Sequence, residues 1–81
     1  MSDTRSIPAN HYRMALNNYL QERGERRTMN WDVYKTGPDH MLTWHASVYI
    51  GGCLCGRFSA RTRAAAMEGA ARQALSAVQS H

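Results

Sequence analysis

Between Tyr12 and Leu20 the apolar residues Tyr12, Ala15, Leu16, Tyr19 and Leu20 recur at i, i+3, i+4, i+7 and i+8, the spacing of one face of an amphipathic helix. Asn10 stands where an N-cap belongs, and Gly24 supplies the stop. The period then changes from helical to twofold. From Asn30 to Thr36, Trp31, Val33 and Lys35 alternate with Asp32, Tyr34 and Thr36, the pattern of a half-buried strand. Thr43 to Ile50 repeats it, with Trp44, Ala46, Val48 and Ile50 predicted inward and His45, Ser47 and Tyr49 on the opposite face. Gly51-Gly52 predicts a tight hairpin turn into a third strand, Cys53 to Phe58. Helical spacing returns in the stretch from Ser59 to Val78, where Met67, Ala70, Ala71, Ala74 and Val78 share a face and either Ser59 or Thr62 is the cap. The predicted order is αβββα. The fold class is α+β, a three-stranded antiparallel sheet with two helices packed on one face.

Two polar stretches interrupt this frame. Thr36-Gly37-Pro38-Asp39-His40 is turn chemistry, with Gly and Pro setting the backbone between the first two strands. The outer face of the first helix carries Met14, Asn17, Asn18 and Gln21, neutral amides where a solvated face more often holds Lys and Glu. Amides donate and accept, which suits base edges and ribose hydroxyls better than phosphates. Taken alone, such a face is more often simply solvated. In the last helix, small side chains let the axis approach the sheet, and Gly69 is expected to mark a close backbone contact.

Composition narrows the class. The 81 residues make one domain, predicted over 10–80 behind a polar arm at 1–9, with a core whose net stabilisation is about 3 to 5 kcal/mol. Ten Lys and Arg against six Asp and Glu give a net charge of +4, which favours a polyanionic partner. Only Lys35 among the cations is Lys, and guanidinium grips phosphate bidentately where ammonium does not. No segment reads as a signal peptide or membrane span, so the expectation is a soluble, intracellular protein of cytoplasm or nucleus. Trp31 and Trp44 read as core. Cys53 and Cys55 with His40 and His45 match no usual zinc spacing, and the carboxylates are scattered without a nucleophile-base pair. No metal, cofactor or catalytic residue is expected.

From Tyr12 to Val78 the chain resembles the double-stranded-RNA-binding domain family. The resemblance is carried by Leu16-Asn17-Asn18-Tyr19, Trp31-Asp32-Val33, Gly37-Pro38-Asp39-His40, Val48-Tyr49-Ile50-Gly51-Gly52, Gly56, and Ala70-Ala71-Arg72-Gln73-Ala74-Leu75. It implies contact with two successive minor grooves of an A-form duplex and the major groove between them. By that resemblance Asn17, Asn18 and Gln21 enter one minor groove, with Asn18 standing where the family usually has Glu. Gly37, Pro38 and His40 meet ribose hydroxyls in the next. The family's K-K-x-A-K motif against phosphates reads here Arg63-Ala64-Ala65-Ala66-Met67, leaving one cation of three. Arg57, Phe58, Ser59 and Ala60 replace its Gly-rich lead-in, and Arg57 and Arg61 are expected to compensate. Loss of two phosphate contacts weakens binding by roughly one to two orders of magnitude.

The expected function is a module that reads double-stranded or structured RNA by duplex shape, without sequence specificity, in RNA silencing or RNA processing. The alternative is a protein-interaction module of the same fold with little RNA binding. It would work through Tyr34, Tyr49, Leu54, Cys55 and Met67, pairing as a homodimer or with a nuclease or RNA-processing protein.

Overall fold

The computed structural model describes residues 10–24 and 28–80. The elements run α1 (His11–Glu22), β1 (Met29–Thr36), a 3₁₀ turn at Asp39–Met41, β2 (Thr43–Ile50), β3 (Cys53–Ala60) and α2 (Arg63–Gln79). The three strands form one antiparallel sheet in the order β1-β2-β3, and both helices pack against it, giving the predicted αβββα order. The expected arm at 1–9 and most of the connector after Gly24 lie outside the described residues.

The helix-facing side of the sheet is a seam of small residues. Ala66, Ala70, Ala71 and Ala74 of α2 are fully buried together with Ala46 and Val48 of β2 and with Leu16 and Leu20 of α1. The side chains at Tyr12, Tyr19, Trp31, Val33, Trp44 and Ile50 close the rim, half-buried. Trp31 and Trp44 are thus edges of the core rather than its centre. Gly56 sets how near α2 comes: a Cβ at that position would overlap the Ala70 carbonyl oxygen and lie 3.0 Å from the Ala74 nitrogen. The close backbone approach expected at Gly69 is therefore found at Gly56. Gly69 instead lies under an aromatic ring, where a Cβ would run into the Phe58 side chain.

Local signals account for the boundaries, with two departures. Gly24 adopts φ 72° and its amide donates to the Gln21 carbonyl at 3.1 Å, ending α1 as a left-handed glycine does. Gly51 and Gly52 take φ 61° and 83°, the signs a type I′ hairpin needs. Asn10 occupies the N-cap position but its side chain makes no capping bond. Ser59 and Ala60, expected in the last helix, extend β3 instead and pair with His45 and Trp44. Thr62 is the cap, its Oγ1 accepting from the Ala65 amide at 3.1 Å.

The α1 amides left without Asn10 find a distant partner. The Glu68 carboxylate of α2 accepts from the Tyr12 amide and from the Arg13 amide, placing negative charge at the positive end of α1. At the other end, the Tyr19 hydroxyl donates to the Val78 carbonyl at 3.2 Å. These bonds fix α1 and α2 side by side with their N-termini at the same end.

The two close-contact glycines should respond differently to substitution. Gly56→Ala drives a methyl into helix backbone and is expected to destabilise by about 2 to 4 kcal/mol. Gly69→Ala meets a partly exposed ring that can swing away, and gains up to about 1 kcal/mol of helix propensity. Urea unfolding of both variants checks this; equal losses would mean that the seam does not set the helix-to-sheet distance.

Candidate nucleic-acid interface

The β1–β2 connection is held tight by its own backbone. Gly37 has φ 94°, and a Cβ on it would lie 2.7 Å from the Met41 carbonyl oxygen. The Met41 amide donates to the Pro38 carbonyl at 2.8 Å, closing the 3₁₀ turn that carries His40. His40 is exposed at the end of the sheet where Thr36 faces Thr43. On the side of the sheet away from the helices, the His45 ring is hydrogen-bonded to Thr36 Oγ1 and to Ser59 Oγ, each at 2.8 Å. Tyr34 stacks on that ring, centroids 4.9 Å apart. This row ties the three strands together just below the turn.

The same sheet end delivers the start of α2. Because Trp44 pairs with Ala60, the chain leaves β3 beside the His40 turn, and Arg61, Thr62 and Arg63 follow at once. Arg61 lies in the link and Arg63 is the first residue of the helix, oriented by the Thr62 cap. Both are exposed. Most other cations of the described residues lie against a group of the protein itself. Arg23 lies over Tyr19, Lys35 over Trp44 and Arg72 over Tyr12, while Arg13 pairs with Glu68. Arg61 and Arg63 enter none of these ion pairs or ring contacts, so their charge faces outward.

Arg57 does not join them. Phe58 lies against Gly69 of α2, whereas Ser59 bonds His45 on the opposite face; by strand alternation Arg57 shares the face of Ser59. It lies opposite Ser47 in register, mid-strand and on the far side of the sheet from α2. Strand parity thus sets Arg57 on the other face of the sheet from the helix start, apart from Arg61 and Arg63. Its backbone remains linked to α2, since its amide donates to Gln73 Oε1 at 3.1 Å.

On α1, Asn18 and Gln21 are exposed and line a depression of about 410 Å³ with Glu22. Asn17 is half-buried and lines a different cleft of about 310 Å³ with Asn10, Arg13, Met14, Trp31 and Met67. The amides are therefore split between two hollows rather than forming one row. Met67 is partly packed against the core; its Sδ is 3.9 Å from Arg13 Nη1. Nothing in the sequence pairs Arg13 with Met67 and Glu68 across more than fifty positions.

The residues of the protein-binding alternative do not form one patch. Tyr34 and Tyr49 lie on the sheet face away from the helices, and Leu54 sits beside Tyr49 in register. Cys55 is the extra residue at a bulge opposite Val48 and Tyr49 and packs against the core. Met67 belongs to the α1–α2 cleft on the other side. Among the described residues no three His, Cys, Asp or Glu side chains gather as a metal site would require, and no helix is long and apolar enough to cross a membrane.

Because Thr62 orients the start of α2, Thr62→Ala is expected to lower stability by about 1 kcal/mol, measured by urea unfolding. An unchanged midpoint would mean that the cap does not hold Arg63 in place. In comparisons with known proteins, no family model matches the chain and no curated protein matches it.

Proposed function

We propose that this chain is a double-stranded-RNA-binding domain that reads A-form duplex shape without sequence specificity and carries out no chemistry of its own. The observation that supports it is the placement of three kinds of contact group on connected elements. The His40 turn and the outward-facing Arg61 and Arg63 share one end of the sheet, by the register of Thr36 with Thr43 and of Trp44 with Ala60. The amide-bearing α1 is locked beside α2 by Glu68 and Val78. An imidazole, a pair of guanidinium groups and a set of amides are the groups that ribose hydroxyls, phosphates and minor-groove edges take. The connections that carry His40 and Arg61 are short and join packed elements, which suits recognition by shape.

A second reading, docking of a protein on the β3 side, is favoured by one observation. Leu54 and Phe58 are 48% and 42% exposed on an edge strand. Against strand pairing there, Gln73 already occupies the outward amide of Arg57, which blunts the middle of that edge.

Titration of a duplex RNA of about 16 base pairs, the length one such domain spans, at several salt concentrations separates the readings. Replacing Arg61 and Arg63 together by Ala should lower the salt slope by roughly one to two units. His40→Ala should weaken binding to RNA while leaving binding to the same duplex in DNA little changed, since only RNA offers the 2′-hydroxyl. Absence of binding by the unaltered chain, together with self-association in sedimentation, would favour the protein-docking reading.

A further inference from the structure

On the sheet face turned away from the helices, charge is arranged by strand. Trp31 and Val33 of β1 pack against the core, so Asp32 between them projects to the other face, which also holds Arg57 of β3. The pairing of Asp32 with Ser47 and of Ser47 with Arg57 puts a carboxylate, a hydroxyl and a guanidinium in one row across the three strands. Asp32 and Arg57 are exposed, while Ser47 between them is 8% exposed. Among the described residues neither charged side chain enters an ion pair or a hydrogen bond. No other Asp, Glu, Lys or Arg of the strands lies on this face. Tyr34 on β1 and Leu54 on β3 stand at diagonally opposite corners, 46% and 48% exposed.

We propose that this face is the contact between two copies of the chain, packed sheet against sheet about a two-fold axis that runs along β2. Rotation about that axis carries β1 of one copy over β3 of the other, so Asp32 of each copy meets the partner's Arg57. An axis across the strands would instead set Asp32 on Asp32 and Arg57 on Arg57, which like charge disfavours. The charge row thus selects the aligned packing that twisted sheets adopt, about 10 Å apart, a gap that an Asp and an Arg side chain span end to end. The same rotation brings Tyr34 over the partner's Ser59 and Leu54 over the partner's Asn30, taking the exposed apolar corners out of water. By strand spacing the face measures roughly 14 by 27 Å, or about 400 Å² in projection, against about 800 Å² per partner in a standard interface. The pair is therefore weak and reversible, formed at protein concentrations on the order of 100 µM.

Both helices stay on the outer sides of such a pair, so α1 and the start of α2 are left uncovered by it. The inference stands apart from the RNA-binding reading, and its test needs no RNA. It also differs from docking on the β3 side, which engages Phe58 and leaves Asp32 untouched. Sedimentation and backbone NMR over a concentration series at low salt are expected to show a reversible monomer–dimer equilibrium, with amide shifts at Asp32, Ser47 and Tyr49. Asp32→Arg and Arg57→Asp each put like charges opposite one another and should each weaken association at least about 10-fold. Mixed in equal amounts, the two variants should recover association to within about threefold of the unaltered chain, because every charge contact of the mixed pair is again opposite in sign. Damage to the fold cannot produce that recovery.

Where either reversal fails to fold, Asp32→Asn and Arg57→Gln take its place, each expected to weaken association about 2- to 5-fold and to flatten its dependence on salt. An unaltered chain that stays monomeric up to about 1 mM, association indifferent to the charge changes, or a mixture that remains monomeric overturns the inference. Shifts confined to Phe58, Gly69 and Gln73 overturn it too, since they place the contact on the β3 side.

Discussion

The distance between α2 and the sheet is the constraint on which this small structure depends. It is set by a missing side chain, at Gly56, where the backbone of β3 meets the Ala70 carbonyl. With four alanines of α2 buried on that seam, the helix lies nearly against the strands. Alanine brings little apolar area per residue, so the seam gains through close contact more than through burial. Among the described residues only Leu16, Leu20 and Val48 are large and fully buried. A shift of α2 by the width of a methyl group would open the junction that the surrounding half-buried aromatics seal.

That constraint is passed to α1 through α2. Glu68 takes up the first amides of α1 and Val78 takes the Tyr19 hydroxyl, so each end of the helix has its own tether. Leu16 and Leu20 fill the space between. The consequence is that α1 cannot reposition its amides unless α2 moves. The β1–β2 turn is held independently, by Gly37 and the Pro38 carbonyl and by the Thr36–His45–Ser59 row beneath it. α1, α2 and the β1–β2 turn thus rest on one sheet, and none depends on a long loop for its position.

The parts of this architecture that were legible in the sequence are those governed by local chemistry. Period and turn residues suffice for α1, the two hairpins and the body of α2, because Gly24, Gly37, Gly51 and Gly52 each sit where the backbone takes positive φ. What stayed hidden depends on pairing at a distance. Ser59 and Ala60 look like a helix start beside an alanine-rich run, but the open positions opposite His45 and Trp44 draw them into β3. Arg57 is close in sequence to Arg61 and Arg63 yet faces away, because strand parity and not proximity decides its side. Asn10 looks like the cap, but its side chain makes no capping bond and a carboxylate 56 residues away reaches the Tyr12 amide.

The same separation between local and distant signals bears on charge. By the resemblance read in the sequence, a count of cations near the start of α2 keeps one position of three and predicts weak phosphate contact. A count of what each cation touches gives a different ranking. Arg23, Lys35 and Arg72 lie against aromatic faces, where part of their field is spent within the molecule, while Arg61 and Arg63 are directed outward at the helix end whose dipole is also positive. On the proposed reading, affinity then comes from few charges and the salt dependence is shallow. Selectivity for an A-form duplex must come instead from the fixed spacing of the His40 turn and α1. On the same reading, the position of α1 depends on the helix-to-sheet distance at Gly56, so discrimination by shape would rest on that close packing rather than on net charge.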